Sequence, residues 1–294
     1  MNILPDLFIQ NIGQLVTVTG ASHKPKTFHG MNEIGIIQDG AVFIKDGNFI
    51  DIGTTKKLKK KYTGANIKII DAAGAVVLPG FVDSHTHAVF GGNRTGEFVQ
   101  RIQGKTYLEI LKKGGGIVNT VEQTRKLKFK KLAETSRKYL DTMLLHGTTT
   151  VEIKSGYGLD INTELKILKV IHHLQKTHSM DIVATFLGAH MIPPEYKNDP
   201  DTYIKLVCNV LPKVKSYATF CDTFCDVGAF SIKQSERVLK TAKSLGFRLK
   251  IHTNEFEDIG GVSLAINLEA VSADHLDNTK HRDIVILKES SVIC

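Results

Sequence analysis

Two histidines one residue apart, His85 and His87, close the run PGFVDSHTH. Residues i and i+2 of a strand project to the same side. Two imidazoles on one face can chelate a transition metal, zinc or iron above others. The plainer alternative packs one ring in a core and leaves the other in solvent. A third histidine, His252, ends the stretch LKIHTNE and can reach the same ion. By itself it would be a satisfied polar residue at a strand end. Glu255, in the loop just beyond, offers a carboxylate that could accept a ring N–H or move a proton. His275 ends SADHL and could hydrogen-bond a water or polarise a carbonyl. Its neighbour Asp274 should point to the other side of a regular strand, so it is read as structural. Three protein ligands leave a position for a water whose pKa falls to roughly 7. The implied chemistry is metal-assisted hydrolysis at a carbonyl or amidine carbon.

These residues need elements to hold them. From residue 79 onward strand-like and helix-like runs alternate. The strands expected are 80–87, 147–156, 181–190, 222–228, 247–255 and 269–276, with helices such as 162–178 and 232–246 between them. The strands are apolar on both parities, as in a parallel sheet covered on both faces. The repeat predicts an α/β fold of the (β/α)8 TIM-barrel type. His85, His87, Lys154, His190, His252, Glu255 and His275 all fall at the C-terminal ends of strands, where such barrels place their active sites. Residues 1–78 read instead as a small β-sandwich-like module, with strands expected from residue 14 and a hairpin at Asp46-Gly47. The expected domains are 1–78 and 79–294. Gly114–Gly116 lacks the lysine and hydroxyl residue of a phosphate loop and reads as a turn before a helix.

Composition narrows the function classes. The 294 residues are 42% hydrophobic, with a formal charge of +8. No apolar run is long enough to span a membrane, and the N-terminal residues lack a signal-peptide pattern. Cys208, Cys221, Cys225 and Cys294 are too scattered for a disulfide framework and read as thiols in a reducing, cytoplasmic setting. The basic run KKLKKK has no interleaved aromatics, so it reads as a solvated helix face or turn rather than a nucleic-acid surface. Neither a nucleic-acid partner nor a membrane partner is expected.

PGFVDSHTH resembles the first-strand signature of the amidohydrolase superfamily. The longer run SHTHAVFGGNRTGEFVQRIQGKTYLEILKKGGGI is similar to the imidazolonepropionase family, and VEIKSGYGL, TFLGAHMIPPEY, IHTNEFEDIGG and SADHL follow in that family's order. The resemblance implies hydrolysis of the cyclic amide of 4-imidazolone-5-propanoate to N-formimidoyl-L-glutamate, a step of histidine degradation. It implies His85, His87 and His252 as metal ligands and Arg94 as the residue that pairs with the anionic propionate, a task suited to a planar guanidinium. Tyr157, His190 and, less directly, Tyr107 would line the substrate site. Glu255 would bind the imidazolone ring, and His275 would lie near the attacking water. The resemblance also suggests a homodimer.

Other readings stay open. One is another single-metal amidohydrolase or a deaminase. A two-metal centre bridged by a carboxylated lysine is disfavoured, because DTFCDVG on the fourth barrel strand has no lysine and Lys154 belongs to the second. A third reading is a non-enzymatic remnant. The resemblance places further strands, and an aspartate completing the metal site, beyond Cys294. The chain is therefore expected to be a fragment truncated near the seventh strand, with impaired catalysis.

Overall fold

The computed structural model describes residues 5–20, 26–62, 67–106, 109 and 115–294. Tyr107 and Gly114 lie outside the described residues. The chain divides into two compact units, one running to Gly80 and the other Phe81–Cys294.

The first unit holds strands β1 (Leu7–Val16), β2 (Ile36–Lys45), β3 (Asn48–Thr54), β4 (Lys68–Asp71) and β5 (Val76–Val77), with helix α1 (Thr55–Lys61). They form a mixed sheet in the order β3-β2-β1-β4, with β5 also paired to β1. Asp46 and Gly47 turn β2 into β3 with φ of 49° and 76°, the left-handed pair a tight hairpin needs. β1 starts at Leu7, not near residue 14 as the sequence suggested. Its register shifts between Ile9 and Ile12, with Asn11 at φ 55°. The bulge puts the buried side chains at Phe8, Ile12 and Leu15, so a two-residue period misses the strand. KKLKKK lies on α1, with Leu58 buried against Phe8, Ala41 and Phe43 and the lysines exposed.

The second unit positions the chemistry. Strands β6 (Phe81–Thr86), β7 (Thr148–Lys154), β8 (Asp181–Ala189), β9 (Phe220–Cys225), β10 (Arg248–Thr253) and β11 (Ser272–His275) lie side by side in sequence order. Every neighbouring pair is parallel. Helices α2 (Thr95–Ile102), α3 (Ile117–Lys126) and α4 (Phe129–Leu145) follow β6. After that one α-helix follows each strand: α5 (Ile161–Thr177), α6 (Pro200–Val214), α7 (Ile232–Ser244), α8 (Gly261–Asn267) and α9 (His281–Lys288). This is a (β/α)8-type barrel sheet, six-stranded among the described residues. Ile293 adds one parallel bridge to Ser272 at its β11 edge.

Local chemistry fixes the helix starts. Asp160 and Asp199 accept the N–H of Thr163 and Thr202, Pro200 opens α6, and Ser231 with Gln234 forms a reciprocal cap on α7. The core packs Val151, Ile153, Phe186, Cys221 and Ile251 of the strands against Ile167, Ile171, Leu211 and Leu239 of the helices. Every residue of β9 is buried, and the strand begins at Phe220 rather than at Asp222 as expected. Cys221 and Cys225 are buried thiols, and burial pushes the Cys225 thiol up to about 11. Among the described residues no helix is long and apolar enough to cross a membrane.

Candidate active site

The C-terminal ends of the barrel strands bring the expected histidines together. His85 sits near the end of β6, His87 one residue past it, and His252 within β10. One nitrogen from each of these three rings lies within 4.8 Å of the other two. Each Nδ1 faces an oxygen. His87 Nδ1 donates to the Ser155 carbonyl at 3.1 Å, and His85 Nδ1 lies 3.1 Å from Asp274 Oδ2. A carbonyl only accepts, so the proton of His87 is on Nδ1 and its Nε2 keeps a free lone pair. His252 Nδ1 lies 3.0 Å from Asp222 Oδ2 but outside hydrogen-bond geometry.

Both ring nitrogens of His252 therefore lack a hydrogen bond, although the residue is only 2% exposed. Leaving a buried polar atom unpaired costs about 1–3 kcal/mol. A metal ion bound by His85, His87 and His252 relieves that cost, so the residues fit the group. Protonation states agree. Burial, and after it the neighbouring His190, holds His87 well below the usual histidine value. Burial lowers His252 as well, against the opposing pull of Asp222. Neutral imidazoles are the form that binds metal.

Asp274 departs from the reading as a structural residue facing away. His275 and Leu276 take φ of 77° and 65°, which breaks the alternation at the end of β11. Asp274 and His275 both reach the centre as a result. Asp274 Oδ2 contacts His85 and also lies 2.8 Å from Lys154 Nζ. The sequence reading placed Lys154 among these strand ends but did not foresee the charged group it forms next to the histidines. Lys154 is 0% exposed and its Nζ also lies 2.8 Å from Asp222 Oδ2 and 3.1 Å from Glu152 Oε1. Glu152 in turn holds Lys250 and Thr185. Burial works against the charged Lys154, but Asp222, Glu152 and Asp274 together raise its pKa. Burial would raise Asp222 too, yet the charges of His252 and Lys154 hold it well below the carboxylate range. Lysine and carboxylates in alternation along buried strands were the available signal.

His87 borders a cavity of about 450 Å³, lined also by Phe90, Arg94, Tyr139 and Tyr157 among others. Arg94 leads into α2, and its Nε donates to Glu97 Oε2 at 2.7 Å. The ring of Tyr157 lies 5.0 Å from that of His87 and 5.4 Å from that of His190. His190 stacks on His87 at 4.8 Å and donates through Nδ1 to the Gly156 carbonyl at 3.0 Å. Burial, and then the charge of His252, push His190 down to about 4. The loop carrying Tyr157 is held by a residue the sequence reading passed over. The buried Glu164 carboxylate accepts the N–H groups of Gly156, Gly158 and Leu159. Gly156 has φ 109°, and a Cβ there would lie 2.9 Å from His190 Cβ.

His275 Nε2 lies 3.4 Å from Glu255 Oε2, so the two expected catalytic residues face each other. Glu255 is placed by Asp226, another residue not singled out from sequence. The Asp226 carboxylate accepts the N–H groups of Glu255 at 2.8 Å and of Phe256 and Glu257 at 3.0 Å. A separate cavity of about 560 Å³, near Arg125, Phe186 and Tyr203, contains none of the histidines.

Residues 76–290 match the model of the Amidohydrolase family. The chain is 46% identical over 296 residues to an imidazolonepropionase of Alkaliphilus oremlandii, covering 100% of this chain and 69% of that relative. Among solved structures, 5-methylcytosine deaminase from Klebsiella pneumoniae superposes with a TM-score of 0.67 at 14% identity, covering 97% of this chain and 64% of that one. An atrazine chlorohydrolase from Arthrobacter aurescens, solved with zinc and atraton, superposes with a TM-score of 0.58 at 14% identity and covers the same 97% and 64%. The chain thus spans just under two thirds of the length of those structures. At such identities these structures speak to the fold.

Proposed function

Because this chain belongs to the amidohydrolase family, and within it to the imidazolonepropionases, we propose that it hydrolyses the cyclic amide of 4-imidazolone-5-propanoate to N-formimidoyl-L-glutamate. The observation that carries this reading is the meeting of His85, His87 and His252 beside a cavity that also contains Arg94 and Tyr157.

His85, His87 and His252 would hold one ion, zinc or iron. Such an ion, when bound, supplies Lewis acidity that brings the ionisation of a water to a pKa of roughly 7. The remaining work belongs to the chain. Arg94 leaves Glu97 or shares its fork with the substrate propionate, fixing the tail at the cavity mouth. Tyr157 and His190 flank the ring. His190 is neutral at pH 7 and commits Nδ1 to Gly156, so only Nε2 is left to accept from a substrate N–H. Glu255 accepts the other ring N–H and holds the amide carbon in place. His275 takes the proton of the attacking water and returns it to the nitrogen that leaves when the ring opens. The facing of Glu255 and His275 supports this exchange.

The test is product analysis. The metal-loaded protein, given 4-imidazolone-5-propanoate, should yield a product heavier by one water, and His275→Ala should abolish turnover while metal content stays the same. An unchanged rate in that variant would remove His275 from the chemistry.

A further inference from the structure

Beneath the three histidines lies a second group with metal-ligand spacing. Ligand atoms of Asp222, His252 and Asp274 come within 4.8 Å of one another. This group is built, not incidental. Asp222 is 0% exposed, its Oδ1 has no hydrogen-bond partner, and His252 Nδ1 faces its Oδ2 without a hydrogen bond. The Lys154 ammonium lies against both carboxylates of this group, 2.8 Å from Asp222 Oδ2 and 2.8 Å from Asp274 Oδ2.

We propose that the Lys154 ammonium is a built-in cation occupying a second metal position, formed by Asp222, His252 and Asp274, and that it limits the centre to one ion. Charge supports this. Glu152, Asp222 and Asp274 carry three negative charges, and Lys154 and Lys250 balance two of them. Removing Lys154 leaves two uncompensated charges in a buried site, which is the condition that draws in a divalent cation. The two carboxylates and the imidazole nitrogen suit a borderline ion such as zinc or cobalt. With one ring nitrogen on the first ion, His252 would serve the second through Nδ1 as a bridging imidazolate, its Nδ1 proton leaving to bulk water as the ion enters. This proposal rests on the reading that His85, His87 and His252 hold the first ion.

The test is Co²⁺ stoichiometry on the whole chain after removal of metal, read by metal analysis of the gel-filtered protein. Wild type should saturate at one equivalent, Lys154→Arg at one and Lys154→Ala at two. The thermal midpoint of Lys154→Ala should rise further with the second equivalent. One equivalent in Lys154→Ala, or two in wild type, overturns the blocking role and leaves the first site intact. No ion in wild type refutes the histidine centre and this proposal with it. Should Lys154→Ala fail to fold without metal, Co²⁺ should restore it with two ions bound. Failure to fold in Co²⁺ while Lys154→Arg folds also overturns the proposal, because an ion of higher charge would then not replace the ammonium.

Discussion

Arg94, His190 and His87 carry the clearest single-residue expectations. A charge-assisted hydrogen bond contributes about 1.5–3 kcal/mol, which is roughly 10–100-fold in affinity. Arg94→Ala should therefore raise KM for imidazolone propionate by about that factor, with kcat changed far less. Steady-state kinetics give the split, and an unchanged KM would remove Arg94 from the substrate. The histidines predict an acid-side loss. His190 titrates near 4 in the folded chain against an ordinary value of 6.5, and His87 is also lowered. The unfolded chain takes up these protons first as pH falls. The stability linked to them is full above about 6.5 and drains away down to about 4. Urea melts of the metal-free protein between pH 7 and 4 should show that slope, and a flat profile would place those rings in water. The histidines were singled out in the sequence because each falls at or next to the end of an apolar strand, whereas Arg94, in the loop that leads into α2, was named only through the family resemblance. The role of Asp274 was not legible, because the left-handed backbone at His275 and Leu276 cancels the alternation on which its side was judged.

At the scale of elements, loops set the geometry and buried carboxylates set the loops. Asp226 holds the amides of residues 255–257 and so places Glu255. Displacement of a reacting group by about 1 Å can cost on the order of 100-fold in rate. Asp226→Asn should lower kcat by at least about tenfold with the metal content unchanged, and a loss of metal instead would point to a role in β10. Gly156 has the same standing in the Tyr157 loop. Its positive φ and the 2.9 Å approach of His190 leave no room for a methyl group. Gly156→Ala should destabilise by more than about 1 kcal/mol, seen as a lower thermal midpoint. The strand-helix alternation of the barrel unit was readable because apolar runs such as 181–190 and helical periods such as 162–178 are local signals, which the structure matches in β8 and α5. The start of β1 and the roles of Glu164, Asp226 and Lys154 were not. A bulge hides the first, Glu164 acts on loop amides that no helix or strand period marks, and Asp226 and Lys154 depend on partners distant in sequence, as Lys154 does on Asp222 and Asp274.

Across the whole molecule, an ion held by His85, His87 and His252 would tie β6 to β10, the ends of a five-strand span of the sheet. Binding to the folded state alone stabilises by about 2.7 kcal/mol at one hundred times Kd, and each kcal/mol shifts the midpoint of a domain this size by about 2–4 °C. Zinc should therefore raise the thermal midpoint of the metal-free protein by about 5–10 °C, and His252→Ala should lose that response. The most direct measurement follows 4-imidazolone-5-propanoate by mass spectrometry with the protein metal-loaded, chelated and reloaded. The loaded protein should yield N-formimidoyl-L-glutamate, the chelated protein none, and the reloaded protein the same product again. An unconsumed substrate in the loaded protein, or turnover that survives complete chelation, would contradict the proposed metal-dependent hydrolysis.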